Sequence, residues 1–261
     1  MTDLKQTDAR TLSFINLYAI LGGALPALCR EVPEARALIA GQNIRVGFVV
    51  RGGPAAVLVF RDGEVTMEPG EGKCDIRLPF RTPEKFNGMM DGTVTPIPSH
   101  GFTRIKFLTG PFMRLTDCLT RYLKPTAEDL QNEDFFRAGT IVMFQLIMGA
   151  VAQIGNEDKI GRSSAGYIVD GNIRMAITEE GSVVTAAHIV AKDHRLTTIP
   201  TDTDNAMSEM EFEGLRDARA LFDGEASSFT LICDRKLRMR GMISQLDNIN
   251  RILDRVALYL A

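Results

Sequence analysis

Residues able to do acid–base, nucleophilic or metal chemistry are few in this chain, and they are scattered. Histidines stand at 100, 188 and 194, and cysteines at 29, 74, 118 and 233. A metal site draws its ligands from recurring short spacings, and a nucleophile needs a base within hydrogen-bond reach. No two cysteines form C-x-x-C, and no histidine lies at ligand spacing from one. His188 and His194 are six apart, which does not place them on one helix face. Asp193 could orient the His194 imidazole, but Lys192-Asp193-His194-Arg195 reads more simply as a charged loop without a nucleophile. No phosphate-binding glycine loop, nucleophile elbow or zinc-protease motif occurs. The reading is a protein that is not an enzyme, with no metal, no cofactor and reduced, buried thiols.

Composition narrows the classes further. The 261 residues are 45% hydrophobic and 24% charged, as in a globular protein able to bury a core. Thirty Lys+Arg against 33 Asp+Glu give a net charge of −3, with no run of five like charges, so nucleic acid is not an expected partner. The segment MTDLKQTDAR lacks the apolar core of a signal peptide, and the cysteines form no disulfide framework, so a cytoplasmic location is expected. Two apolar stretches, Leu12–Leu28 and Phe135–Ile154, approach membrane-span length. The first contains Asn16, Gly22, Gly23 and Pro26, and the second Arg137 and Gln145; both read as buried core helices, with no stable membrane insertion.

The chain repeats itself. Gly47–Gly53 resembles Gly166–Asn172 at an offset of 119, and Arg61-Asp62-Gly63 resembles Glu179-Glu180-Gly181 at 118. Phe80 and Asp91-Gly92 resemble Phe212 and Asp223-Gly224 at 132, and Tyr122-Leu123 resembles Tyr259-Leu260 at 137. The rising offsets suit an old duplication with an insertion of 14 residues in the second copy, near 187–205. The expected domains are 1–125 and 126–261.

Each copy reads as helix, antiparallel strands, helix, strand, helix. Phe14, Leu17, Leu21, Leu25 and Leu28 keep helical spacing, with Pro26 breaking or kinking the helix. Ile44, Val46, Phe48 and Val50 alternate as in a strand, and Asp62-Gly63 joins Val57–Phe60 to Val65–Met67 as a hairpin. Cys74, Ile76, Leu78 and Phe80 share one strand face, and Thr82 caps a helix from Pro83. Phe102–Leu108 is expected as a further strand, and Pro111 as the start of a short helix to Leu123. In the second copy Asn132 or Thr126 caps a long helix through Ile154. The last helix places Met242, Leu246, Ile249, Leu253, Val256 and Leu260 at heptad-like steps, best read as a helix packed on a sheet.

This grammar resembles the sterol carrier protein 2 (non-specific lipid-transfer) family. The likeness rests on Val57–Val65, Cys74–Leu78 and the Pro83–Gly92 helix, then on Ala220–Gly224 and Lys236–Gly241. It covers about Gln42–Lys124 and Met210–Leu260. His100-Gly101-Phe102-Thr103-Arg104 replaces the family's glycine-lysine step. The resemblance implies an α+β fold: a tandem duplication of a sterol-carrier-like unit, each a mainly antiparallel sheet covered by helices on one face. It also implies a hydrophobic tunnel between sheet and helices that binds sterols, fatty acyl chains or isoprenoids without chemistry.

An apolar lipid is therefore the expected partner, bound and in some settings transferred. The expected lining is Phe80, Phe86, Met90, Ile105, Phe107, Phe112 and Leu115, because the first copy is rich in rings and its final helix looks too short to cover the sheet. Seven of the 12 methionines, at 89, 90, 113, 207, 210, 239 and 242, fall in segments that would line the tunnels. The alternative is a filled-core interaction or assembly protein that docks onto an enzyme of lipid or quinone metabolism, with the last helix offering a homodimer surface.

Overall fold

A computed structural model describes residues 6–260. They form two compact units, residues 8–142, and residues 143–260 together with 6 and 7. The division falls inside the helix Glu133–Glu157, not at residue 125. That helix is continuous because nothing in it breaks hydrogen bonding, and Asn132 caps it, its Oδ1 accepting from the Phe135 N–H at 2.9 Å.

The fold is α+β, with one mainly antiparallel sheet in each unit. The first sheet comprises β1 (Asn43–Val50), β2 (Ala55–Arg61), β3 (Glu64–Pro69) and β4 (Ile76–Phe80), in the order β3-β2-β1-β4. The second comprises β5 (Gly171–Glu179), β6 (Ser182–Lys192), β7 (Arg195–Ile199), β8 (Ser208–Glu213) and β9 (Leu237–Arg240), in the order β7-β6-β5-β8-β9. In both, the first strand pairs antiparallel with the second and parallel with the fourth.

Register shows which residues correspond. Val50 faces Phe80 and Ile177 faces Phe212, so β1 and β5 are 127 residues apart and β4 and β8 are 132 apart. Leu58 faces Val46 and Ile189 faces Ile173, an offset of 131 for β2 and β6. The Asp62-Gly63 turn therefore corresponds to Asp193-His194, and Glu180-Gly181 to the Gly52-Gly53 turn. No 14-residue insertion exists between the hairpin and β8. Four extra residues lengthen the β5–β6 hairpin instead. The Gly47/Gly166 match also fails, because residues 166–169 precede β5.

In the first unit a leading helix, Ala9–Glu31, lies on the sheet. Asp8 caps it, accepting from the Thr11 N–H at 2.7 Å, and Leu17, Leu21, Leu25 and Leu28 are buried. Pro26 does not break it. Ile15–Ala24 is π-helical, with the Leu25 N–H donating to the Ile20 carbonyl, and this wider turn accommodates the proline ring. Gly22 is where the end of the Met67 side chain from β3 rests on the helix: a Cβ there would sit 2.4 Å from Met67 Cε and would make that side chain move. A short helix, Pro83–Met90, capped by Thr82, packs beside it. There Asn16 donates to Asn87 Oδ1 at 3.0 Å and Asn87 donates to the Ala9 carbonyl at 2.9 Å, satisfying two buried amides.

The strand expected at Phe102–Leu108 is a helix. The nearest strand-like pairing is an isolated bridge just before it, Arg77 to His100. Beyond Gly101 the chain is helical through residue 123: 3-10 over Phe102–Arg104, α over Ile105–Phe107, π over Leu108–Phe112 and α over Met113–Leu123. Pro111 lies inside the π turn and does not start the helix. This final helix is thus nearly twice as long as expected, and its length no longer implies an uncovered end of the sheet.

The second unit adds the helices Lys159–Ala165, Leu215–Phe222, Ser228–Cys233 and Ile243–Leu260. Its final helix buries Leu246, Ile249, Ile252, Val256 and Tyr259, whereas Met242 is exposed and Leu253 and Leu260 are half-buried. That is a helix-on-sheet face and not a coiled-coil seam. Both Ala9–Glu31 and Glu133–Glu157 are long and apolar enough to span a membrane, but 67% and 72% of their apolar windows are buried in the protein.

Candidate functional site

Six phenylalanine rings meet in the first unit between the sheet and its helices. Phe48 and Phe60 come from the inward faces of β1 and β2, and Phe80 ends β4. Phe86 comes from the short helix, and Phe107 and Phe112 from the final helix. Ring centroids lie 5.1 Å apart for Phe80–Phe86, 6.2 Å for Phe48–Phe86, 6.4 Å for Phe48–Phe112, 6.0 Å for Phe60–Phe112 and 4.9 Å for Phe60–Phe107. Most pairs are edge-to-face, each worth about 0.5–1.5 kcal/mol beyond the area they bury.

The structure brings together four of the seven expected lining residues, Phe80, Phe86, Phe107 and Phe112. Leu115 is buried on the same helix, and Met90 is half-buried at the end of the short helix. Ile105 does not line the interior. It is 37% exposed, because residue 105 lies in the helix that replaces the expected strand. Phe48 and Phe60 were not among the expected residues, although both fall at inward positions of the strand alternation.

Rings and aliphatic side chains make the cluster apolar throughout. Phe112 is half-buried, as are Met90 at the end of the short helix and Leu108 at the start of the π turn. The π turn Leu108–Phe112, which supplies the Phe112 ring, contains Gly110-Pro111, and none of its five residues is fully buried. The second unit has a smaller counterpart, Phe212–Phe222 at 5.8 Å and Phe144–Phe222 at 6.5 Å. Register puts Met175 where the first unit has Phe48.

The methionines do not converge on one lining. Met210 is core, Met113, Met207 and Met242 are exposed, and Met89, Met90 and Met239 are half-buried.

The buried histidine is held in a polar network. His188 is fully buried; its Nδ1 lies 2.8 Å from Asn172 Oδ1 and its Nε2 accepts from the Thr203 N–H at 3.0 Å. Asp202 lies 3.2 Å from His188 Nε2 and is gripped by Arg174 at 2.7 and 2.8 Å, which lowers its pKa to about 2. The network ties residues 202–203 to the outer face of the second sheet, with no nucleophile in it. His194 occupies a hairpin turn at φ +60°. His100 Nε2 is 3.1 Å from the Cys74 carbonyl and 4.0 Å from its Sγ, too far for a thiol–imidazole hydrogen bond of useful strength. All four cysteines are free thiols, and no group of three His, Cys, Asp or Glu side chains among the described residues could hold a metal ion.

No family model and no curated protein matches this chain. Solved structures that match are sterol carrier protein 2 domains. The apo sterol carrier protein 2 of Yarrowia lipolytica is 13% identical, with a TM-score of 0.31, over 40% of this chain and 91% of that one. A UbiJ-SCP2 ubiquinone synthesis protein is 15% identical, with a TM-score of 0.31, over 41% of this chain and 90% of its own. The Aedes aegypti sterol carrier protein 2 in complex with palmitate, a C16 fatty acid, is 15% identical, with a TM-score of 0.28, over 41% of this chain and 94% of its own.

Proposed function

We propose that the chain is a non-catalytic lipid-binding protein built from two copies of one unit, and that the first unit holds the lipid. The observation that supports this is the continuous ring cluster Phe80–Phe86–Phe48–Phe112–Phe60–Phe107, roofed by a π-helical turn with no fully buried residue. Displacing that roof would open an apolar surface without breaking an ion pair. Each methylene of a lipid tail placed against it contributes ~0.8 kcal/mol by leaving water, so affinity needs almost no polar contact. Shared strand order and register support the two-copy reading. The four free thiols suit a reducing compartment, and the cytoplasm is the proposed location.

The test is mass spectrometry of an organic extract of the purified full chain, together with displacement of an apolar fluorescent probe by a long-chain fatty acid. A co-purifying lipid and saturable displacement are expected. A lipid-free extract from a folded protein that also ignores the probe would sink the proposal.

The second reading, an interaction or assembly protein, is favoured by Phe229 and Ile243, 75% and 83% exposed on the second unit. It predicts that replacing both with serine abolishes capture of an enzyme of lipid or quinone metabolism while probe binding is unchanged.

A further inference from the structure

The final helix of the first unit carries a face that its own fold does not use. Phe102 is 60% exposed and Met113 is 53% exposed, with Ile105 between them. Phe107 is the only buried residue from 102 to 112. Steps of three and four place Phe102, Ile105, Thr109 and Met113 along one side of the helix.

The charged residues that this helical segment itself carries from 102 to 114 all have one sign. Arg104, Lys106 and Arg114 are exposed, and none enters an ion pair among the described residues. Three other arginines of the unit are matched, Arg45 with Glu68, Arg77 with Glu71 and Arg121 with Asp129. From Gly92 to Thr116 the chain has no Asp or Glu at all, within a protein whose net charge is −3. Asp117, one turn beyond Met113, ends the patch.

Two exposed apolar groups of the second unit differ in this respect. Phe229 and Ile232 lie between Glu225 and Asp234, and Ile243 is followed one turn later by Asp247. Apolar anchors flanked by cations suit the interface of an anionic bilayer, whereas anchors flanked by carboxylates are repelled by it.

We propose that the face formed by Phe102, Ile105 and Met113, with Arg104, Lys106 and Arg114, docks onto an anionic phospholipid membrane. The Phe102 ring and the Ile105 and Met113 side chains would enter the headgroup boundary, and the three cations would sit among the phosphates. Phe107 and Phe112 reach from the same helix into the ring cluster, so the docked surface lies directly over the roof of the proposed lipid site. Docking does not depend on the interior holding a lipid, and its test reads the surface alone.

The test uses the full chain with vesicles of phosphatidylcholine alone, or of phosphatidylcholine and phosphatidylglycerol in equal parts. Co-sedimentation is expected only with the anionic vesicles, and should weaken as salt rises. Reversing the charges in R104E/K106E/R114E should weaken it about tenfold or more. F229S/I232S should bind as the parent does. The chain has no tryptophan, so Phe102→Trp gives a single emission that reports its own surroundings. Its spectrum should shift to the blue on anionic vesicles and stay put on neutral ones. Equal binding to both vesicles, an unmoved Phe102→Trp spectrum, undiminished binding by the charge-reversed variant, or a blue shift that grows with protein concentration alone would each overturn the proposal; the last would mark a protein–protein surface.

Discussion

Gly101 and Gly241 occupy the same backbone niche in the two units. Each follows the segment that meets the fourth strand, His100 against Arg77 and Arg240 against Glu209. Each has positive φ, +88° and +112°. A Cβ on Gly101 would lie 2.2 Å from the Asp75 carbonyl oxygen, and one on Gly241 2.5 Å from the Met207 carbonyl oxygen. Asp75 and Met207 are themselves equivalent, 132 residues apart. No other side chain fits there, and the final helix of each unit begins immediately beyond.

Gly101→Ala and Gly241→Ala should therefore both destabilise, each by about 1–3 kcal/mol from backbone strain before any clash is relieved. Urea unfolding of the two variants checks this. A neutral Gly101→Ala would mean that the two glycines do not play the same part.

Most strands were legible because alternation survives folding: Ile44, Val46, Phe48 and Val50 all point inward. Correspondence between the copies was not. Two acid-glycine turns looked alike, Asp62-Gly63 and Glu180-Gly181, yet the partner of Asp62-Gly63 is Asp193-His194. Both residues of that turn need positive φ, and aspartate and histidine adopt it often enough to replace glycine. Phe102–Leu108 misled for another reason. Its apolar and basic residues alternate like a strand, but Gly101 turns the chain and Phe107 packs on Phe60 only from a helix, so tertiary contact overrides local pattern. The ring cluster was two-thirds visible, since four of its six rings were named.

Asp158 ties the second unit's final helix to the rest of that unit. It accepts from the N–H groups of Ile160 and Gly161, from Arg255 Nη2 at 2.8 Å and from the Tyr259 hydroxyl at 2.8 Å. Burial raises its pKa, but Arg255, the Gly161 N–H and Tyr259 outweigh that and hold it below 3.8. A lowered folded pKa contributes stability that is complete above the unfolded value and is lost as pH falls through the folded one. Asp158→Asn should cost about 3–5 kcal/mol at neutral pH, because the buried Arg255 loses its carboxylate. The gap between parent and variant should close below about pH 4. Denaturant titrations at both pH values decide it, and a gap independent of pH would show that the carboxylate charge is not what matters.

Arg219 is a buried cation with incomplete satisfaction. Its Nε donates to Asp223 at 2.6 Å, while Nη1 has no acceptor among the described residues. Asp223 is partly open to water and tolerates losing the pair. Arg219→Met keeps the buried stem and removes the unmet N–H, so stability should hold or rise by about 1 kcal/mol. A loss of more than that would reveal an acceptor, such as bound water, on Nη1.

The thiols should react in order of access. Burial, with a smaller contribution from Cys118, pushes the Cys29 thiol up to about 12, and burial also raises Cys118. Cys233 is exposed and Cys74 is half-buried. At mildly alkaline pH a disulfide reagent should therefore modify Cys233 first and Cys29 only after unfolding, because the thiolate is the reactive form. Rapid modification of Cys29 in the folded protein would contradict its place in the core.

Phe107 offers the most direct test of whether the ring cluster is a site or only a core. It is buried, and its ring lies 4.9 Å from Phe60 and 6.2 Å from Phe112. Phe107→Ala should cost about 3–5 kcal/mol, as for any buried ring, and leave a dry hollow walled by the two remaining rings. Phe144→Ala in the second unit removes an equally buried ring and should cost the same. The two variants diverge once a lipid is added. If the roof over the cluster opens to a hydrocarbon chain, a long-chain fatty acid at a hundred times its dissociation constant restores about 2.7 kcal/mol to Phe107→Ala by mass action. It restores nothing to Phe144→Ala if only the first unit binds. Thermal unfolding with and without fatty acid reads both outcomes. Equal rescue of the two variants would place binding in both units, and rescue of neither would make the six rings a filled core.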